Sequence, residues 1–401
     1  MSRLRTASTR RLTAILALAA ALVLSAGIAQ GALTRSGPTP PPKALANAIL
    51  AAFEAPAPEG ITARIEFTNQ LLPSGSLPHR AASPLVSGAD GRLWIQKSGD
   101  FRIELQSRAG DAQIVGVGDR ITVYDAGSQT LYRATLPRDS EDVTRPRRGH
   151  ARERLTLAKV QRALDRLART WTLSGAEPGS TAGQPTYTVN ISPTDDGGLL
   201  SAAELAWDAV RGAPLRAAVY AEDRTEPVLE LEATEVSYDA VADADVRVAP
   251  PSGVEIVDLS PARDPKGTTQ RRRATPAAVA GPAAVQRSLD FQLAAPARLA
   301  GLSRRHVRLV GFDGDRGALA IYGEGLGAIA VLQHKAQPAT TTQDEDERDL
   351  RLPQIDIDGA PGRELATPLG TIVTFERGGV SYLVAGSVAP AAVESAARGL
   401  R

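Results

Sequence analysis

The chain contains no cysteine. That excludes disulfides, thiolate nucleophiles and Cys-based zinc sites, and it removes the thiol on which a bacterial lipoprotein is acylated. Its four histidines, His79, His150, His306 and His334, are far apart and lack metal-ligand spacing, so each reads as a surface or loop residue. No metal site and no cofactor are expected. Neither charge sign is in excess: 46 Lys and Arg stand against 45 Asp and Glu, a net charge of +1, whereas a nucleic-acid partner requires a basic face. There is no GxSxG, no HExxH and no paired-carboxylate signature, and Asp195 and Asp196 lie in the turn-like "SPTDDGG". We therefore expect a protein that is not an enzyme, with a secreted hydrolase as the least supported alternative.

What is present begins at the N-terminus. Arg3, Arg5, Arg10 and Arg11 precede the apolar run "LTAILALAAALVLSAGIA", Leu12 to Ala29, the pattern of an export segment. Small residues at Gly27, Ala29 and Gly31 permit cleavage, while the length of the run also permits retention as one transmembrane helix. Both outcomes stay open. The expected location is periplasmic or cell-surface, secreted or anchored. We assign 1–31 to the export signal or anchor and 32–42 to a Pro-rich spacer.

Beyond the spacer, "KALANAILAAF" predicts a short helix with Leu45, Ile49 and Phe53 on one side. From Ile61 the period becomes two: Ile61, Ala63, Ile65 and Phe67 alternate with Thr62, Arg64, Glu66 and Thr68. The alternation returns in "LWIQKSGDFRIELQSRAGDAQIVGVGDRITVYDAGSQTLYR", Leu93 to Arg133, punctuated by turn signals. A charged break is followed by a predicted helix whose apolar stripe is Leu157, Val160, Leu164, Leu167 and Trp171. Strands resume at Tyr187, Leu205, Leu215 and Leu229, and the unit ends in "VRVAPPSGVEIVDL". About ten strands in one unit cannot remain a flat open sheet. The expected fold is α+β and mainly β, a curled antiparallel sheet or incomplete barrel over 43–259 with helices on its concave side. An aperiodic Pro-, Ala- and Arg-rich stretch, 260–284, reads as a linker. A smaller α+β unit over 285–401 is built from "HVRLVGF", "ALAIYG", "AIAVLQH", "TIVTFERG", "SYLVAGS" and a closing helix from Pro390. "GEGLG" lies between two of these strands and reads as a hairpin turn, and the acidic "TTTQDEDERDLR" reads as a loop.

The order "DGRLWIQKSGDFRIEL…QIVGVGDRITVYD", with "VAPPSGVEIVD" at the end of the unit, resembles the LolA-type lipoprotein carriers and the related sensor domain of the RseB/MucB regulators of envelope-stress sigma factors. The second unit is weakly similar to the C-terminal modules of such regulators through "YGEGLGAIAVLQ" and "GTIVTFERGGVSYLVAGSVAPAAVESAARGL". The resemblance implies an incomplete barrel holding an acyl chain or lipoprotein, an extracytoplasmic sensor or regulator, and a membrane-anchored anti-sigma factor as partner; a lipoprotein or lipid carrier is the alternative. The residues placed to line an apolar cavity are Leu93, Ile95, Phe101, Ile103, Leu105, Ile121, Val123, Leu205 and Trp207. With few aromatic side chains, 4% of the chain, there is little bulk to plug the interior, although an ordinary filled core stays open. The basic residue that tethers the helical lid in the carriers corresponds to Lys97. Lysine lacks the planar donor fork of arginine, and the proline that usually follows is Ser98, so a carrier cycle identical to the family's is in doubt.

Overall fold

The computed structural model describes residues 37–72, 83–108, 110–135, 155–194, 197–259, 279–312, 315–336 and 352–401. The export segment, His79, His150, Asp195, Asp196, most of the interdomain linker and the acidic insertion lie outside these residues. Among the described residues no helix is long and apolar enough to cross a membrane. The chain is mainly β and forms two antiparallel-rich sheets, one of thirteen strands and one of eight.

The first sheet begins after α1 (Leu45–Glu54). Its strands are β1 (Gly60–Asn69), β2 (Ala89–Gln96), β3 (Phe101–Ser107), β4 (Gly110–Val117), β5 (Arg120–Asp125) and β6 (Thr130–Thr135). Then follow β7 (Trp171–Leu173), β8 (Glu177–Thr181), β9 (Gln184–Pro193), β10 (Leu200–Asp208), β11 (Pro214–Ala221), β12 (Leu229–Ser237) and β13 (Glu255–Asp258). The spatial order is β13-β6-β5-β4-β3-β2-β1-β12-β11-β10-β9-β7, with β8 also on β9. β1 through β6 form an antiparallel meander, and β12 closes onto the far side of β1, so non-local pairing joins the two halves. A register shift between Arg64 and Ile65 lets the sheet curl there. β13 follows the two prolines as an edge strand, parallel to β6, where missing N–H donors are tolerated.

Three further helices accompany this sheet. α2 (Pro84–Ser87) is one turn long, and its Leu85 and Val86 are buried against β1, β3 and β4. α3 (Leu157–Leu167) packs against α1. α4 (Asp243–Val246) lies on the other side, touching β2 and β3, where Arg102 donates to the Asp245 carbonyl at 3.0 Å. Three expectations change. The sheet has thirteen strands rather than about ten, because β7, β8 and β13 are too short to leave an alternation signal. Trp171 leaves the helical stripe: α3 stops at Leu167, and Trp171 pairs as a strand residue with Pro193. In α1, Leu45 and Ile49 face the sheet with Ala48 and Ala52, whereas Phe53 is 74% exposed.

The second sheet follows α5 (Pro282–Gln286) and has the order β14-β15-β16-β17-β21-β20-β19-β18. These are β14 (Arg298–Leu299), β15 (Leu302–Phe312), β16 (Asp315–Tyr322), β17 (Ile329–Lys335), β18 (Gln354–Ile357), β19 (Ala360–Thr367), β20 (Gly370–Arg377) and β21 (Val380–Gly386). The closing helix α6 (Pro390–Arg398) puts Val393, Ala396 and Ala397 onto Val373, Phe375 and Val384. Arg377 holds the C-terminus by donating to the Leu400 carbonyl at 2.6 Å. Fully buried Gln333 mimics a strand residue: its amide accepts from Ala294 N and donates to Ala294 O at 2.9 and 2.8 Å.

The two sheets meet backbone to backbone. The "GEGLG" turn, helical over Gly325–Gly327, lies against Gly197 and Gly198 of the β9–β10 connection, and Leu199 N–H donates to the Ser387 carbonyl at 2.8 Å. A Cβ on Gly327 would lie 2.5 Å from Gly197 O, and one on Gly198 would lie 2.5 Å from Leu326 Cβ. Only glycine permits so close an approach. Gly327→Ala is predicted to separate the seam at an overpacking cost of about 1–3 kcal/mol, raising Leu199 amide exchange roughly tenfold or more. Unchanged exchange at Leu199 would show that the seam tolerates a side chain.

Candidate functional site

Strand register builds the site. Ala63, Leu93, Ile103, Ile114, Val123 and Tyr132 are successive cross-strand partners on β1 to β6, one apolar row running over six strands. A parallel row contains Ile61, Ile95, Phe101, Gly116, Ile121 and Ala134. On the far side of β1 the same face continues through Phe67, Leu231, Ala217 and Leu205. Because the side-chain period is two, the intervening positions Trp94, Arg102, Glu104 and Gln113 fall on the opposite face. There the Arg102 guanidinium sits over the Trp94 ring at 5.0 Å and pairs with Glu104.

Seven of the expected lining residues come together. Leu93, Ile103, Leu105, Ile121 and Val123 are buried in one cluster with Ile65, Phe67, Ile114 and Tyr132, while Ile95 and Phe101 are half-buried against it. The Phe101 ring covers Gly116, where a Cβ would lie 2.2 Å from Cε1. α2 closes the end of this face near Phe67, Leu105 and Ala112, and Asn69 anchors it by donating to the Leu85 carbonyl at 2.8 Å. Leu205 and Trp207 are placed elsewhere: they pack with Tyr187 and Val189 beneath α1. Tyr187 and Trp207 are tilted at 44° with centroids 6.1 Å apart, and buried Trp207 Nε1 has no hydrogen-bond partner there. The site therefore has two apolar regions, one over β1 to β6 that takes in Leu215 of β11 and Ala233 of β12, the other on β9 and β10 beneath α1.

Lys97 lies in the β2–β3 turn. Its Nζ donates to Glu59 Oε1 at 2.5 Å, and both side chains are more than half exposed. Glu59 belongs to the connection between α1 and β1, so the pair ties the turn to the chain leaving α1. In water such a pair contributes only about 0–1 kcal/mol, weak enough to open readily. Nearby, Asp100 accepts from Gly118 N and from Arg247 Nη2, at 3.0 and 2.8 Å, fixing the turn against α4.

Sequence reasoning missed a buried polar cluster on the opposite face of β10, β11 and β12. Arg216 donates to Glu204 at 2.5 Å and to Glu230 at 2.6 Å, and lies 3.6 Å from Glu232. Tyr220 O–H donates to Glu204 Oε2 at 3.2 Å and accepts from Arg216 Nη2. The alternation signal assigned these positions to water, but Glu204 is 1% exposed. Burial pushes its carboxyl up to about 7, with Glu230 and Glu177 adding to the rise and Arg216 opposing it. Among the described residues no group of three His, Cys, Asp or Glu is disposed to hold a metal ion.

Between about pH 4.5 and pH 7 folded Glu204 holds a proton that the unfolded chain has lost, so its contribution to stability falls as pH rises through that window. Glu204→Gln is predicted to flatten this part of the profile. Urea midpoints at roughly pH 5 and pH 8 should drop more for the wild type than for the variant. Parallel profiles would assign the titration elsewhere.

No protein-family model matches the chain, and no curated protein matches it. Among solved structures, the Pseudomonas aeruginosa MucA/MucB complex aligns with 88% of this chain and 95% of that chain, at 13% identity and a TM-score of 0.40. A putative outer membrane lipoprotein-sorting protein domain from Vibrio parahaemolyticus aligns with 50% of this chain and 94% of its own, at 12% identity and a TM-score of 0.23. A LolA superfamily protein from Nitrosomonas europaea aligns with 51% of this chain and 98% of its own, at 11% identity and a TM-score of 0.19.

Proposed function

We propose that the chain is an extracytoplasmic, non-enzymatic binding protein whose thirteen-stranded sheet holds an acyl chain, free or borne by a lipoprotein, against its apolar face. The observation that carries this reading is the apolar row from Ala63 to Tyr132, continued across β1 to Leu205. A face of this kind recognises hydrocarbon by burial alone, at about 0.8 kcal/mol per CH₂, and needs neither nucleophile nor metal.

The attached second sheet favours a sensor or regulator over a minimal carrier. A carrier needs one container; a sensor must also transmit occupancy, and the glycine seam couples the β9–β10 connection of the first sheet to the second. The partner in this reading is a membrane-anchored anti-sigma factor of envelope-stress signalling, and the exported protein works at the periplasmic or outer surface of the cytoplasmic membrane. That partner rests on the resemblance of the motifs quoted from the sequence.

The direct test is native mass spectrometry and lipid extraction of the purified full chain, followed by titration with a fluorescent fatty acid. Retained or acquired acyl chain, one per protein, is the expected result. An empty protein that also ignores the probe would remove the container function. Lys97→Ala, which loses only the exposed pair with Glu59, is expected to speed probe release severalfold while leaving the melting temperature unchanged. Equal release rates would deny Lys97 any control of access.

A further inference from the structure

α3 is an unusual helix for a folded interior. Of its 11 residues only Val160 is buried, and Leu155 and Leu157 at its start are 38% and 36% exposed. It leans on α1, which leaves Phe53 74% exposed beside the β10–β11 turn, where Val210 is 62% exposed. The contact between these elements is close: a Cβ on Gly212 would lie 2.3 Å from the Ala52 carbonyl. Uncovered apolar side chains thus occur on both helices and on the turn next to them.

The charge on α3 and the two residues after it is mainly basic. From Leu157 to Arg169 the bases are Lys159, Arg162, Arg166 and Arg169, and the single acid is Asp165. Arg162, Arg166 and Arg169 are exposed and form no ion pair among the described residues. Arg162 Nε donates back to the Ala158 carbonyl at 3.1 Å in an exposed position. A cationic amphipathic helix with uncovered leucines has the composition of one that lies in a bilayer interface.

We propose that α3 is a membrane-surface helix whose occupant is an anionic lipid bilayer, with Arg162, Arg166 and Arg169 at the headgroups and Leu155 and Leu157 toward the acyl boundary. Two features commit the occupant to lipid. The three unpaired guanidiniums complement anionic headgroups. The apolar run Leu12–Ala29, in its retained form, ends 16 positions before Leu45, the first residue of the helix on which α3 leans, a span of at most about 55 Å when extended. The proposal is independent of what the sheet's apolar face holds.

Because the chain has no cysteine, Ala163→Cys on exposed α3 supplies the only thiol for an environment-sensitive fluorophore. The full chain is mixed with vesicles of phosphatidylcholine alone or with phosphatidylglycerol added; the N-terminal apolar run can enter both, which gives a common baseline. A blue-shifted, brighter signal specific to phosphatidylglycerol and lost at high salt is expected. Arg162→Gln with Arg166→Gln should weaken that response about thirtyfold, at ~1 kcal/mol per lost cation. Arg308→Gln, an exposed arginine of the second sheet, should leave it unchanged. Equal signals with both vesicle types would overturn the proposal, as would an equal response to polyglutamate without lipid, which would make the partner an acidic polypeptide. Circular dichroism of the variants separates lost docking from lost folding.

Discussion

Strand register is the constraint on which everything else depends. Ala63, Leu93, Ile103, Ile114, Val123 and Tyr132 reach one face only because each hairpin from β1 to β6 returns in the register that pairs them. A slip of one residue in any hairpin would turn Arg102 or Glu104 into the apolar side and Ile103 out of it. The local turns set that register, and the antiparallel pairing of β1 with β12 extends the face to the second half of the sheet.

The opposite face has a different task. Over β2 and β3 it is polar and receives α4, whereas over β10 to β12 it buries Arg216 among Glu204, Glu230 and Glu232. One guanidinium facing three carboxylates is a charge arrangement that costs folding energy, since desolvation competes with pairing. It makes that half of the sheet sensitive to protonation at Glu204, whereas the apolar row from Ala63 to Tyr132 carries no carboxylate, imidazole or amine. The apolar face and the titrating cluster are therefore back to back on β10 and β11, with Leu205 and Ala217 on one side and Glu204 and Arg216 on the other.

Much of this was legible in the sequence, for a physical reason. The long alternating strands, the meander and the closing helix announce themselves through periods of two and 3.6, which side-chain geometry imposes. β7, β8 and β13 do not, because strands of three to five residues hold too few positions to show a period, and long-range pairing forms them. Seven of the nine residues expected to line a cavity fall in one apolar cluster, but Leu205 and Trp207 lie beneath α1, a placement set by the order of β10, β11 and β12 that pattern alone cannot give. The Glu204 cluster was hidden by the same alternation that revealed the apolar face: a polar residue at an outward position reads as solvated until tertiary packing buries it. The juxtaposition of Gly197 and Gly198 with "GEGLG" joins segments more than a hundred residues apart, and each looks locally like a turn and nothing more.

The central claim, that the apolar face receives hydrocarbon, is tested most directly by photo-crosslinking. A fatty acid with a diazirine near the chain terminus is equilibrated with the protein, irradiated, and its adducts are located by peptide mass spectrometry. Adducts at Leu93, Phe101, Ile103, Ile121 or Val123, competed by unlabelled fatty acid, are predicted. Adducts confined to the outer face around Trp94 and Arg102, or absent from both, would contradict the account.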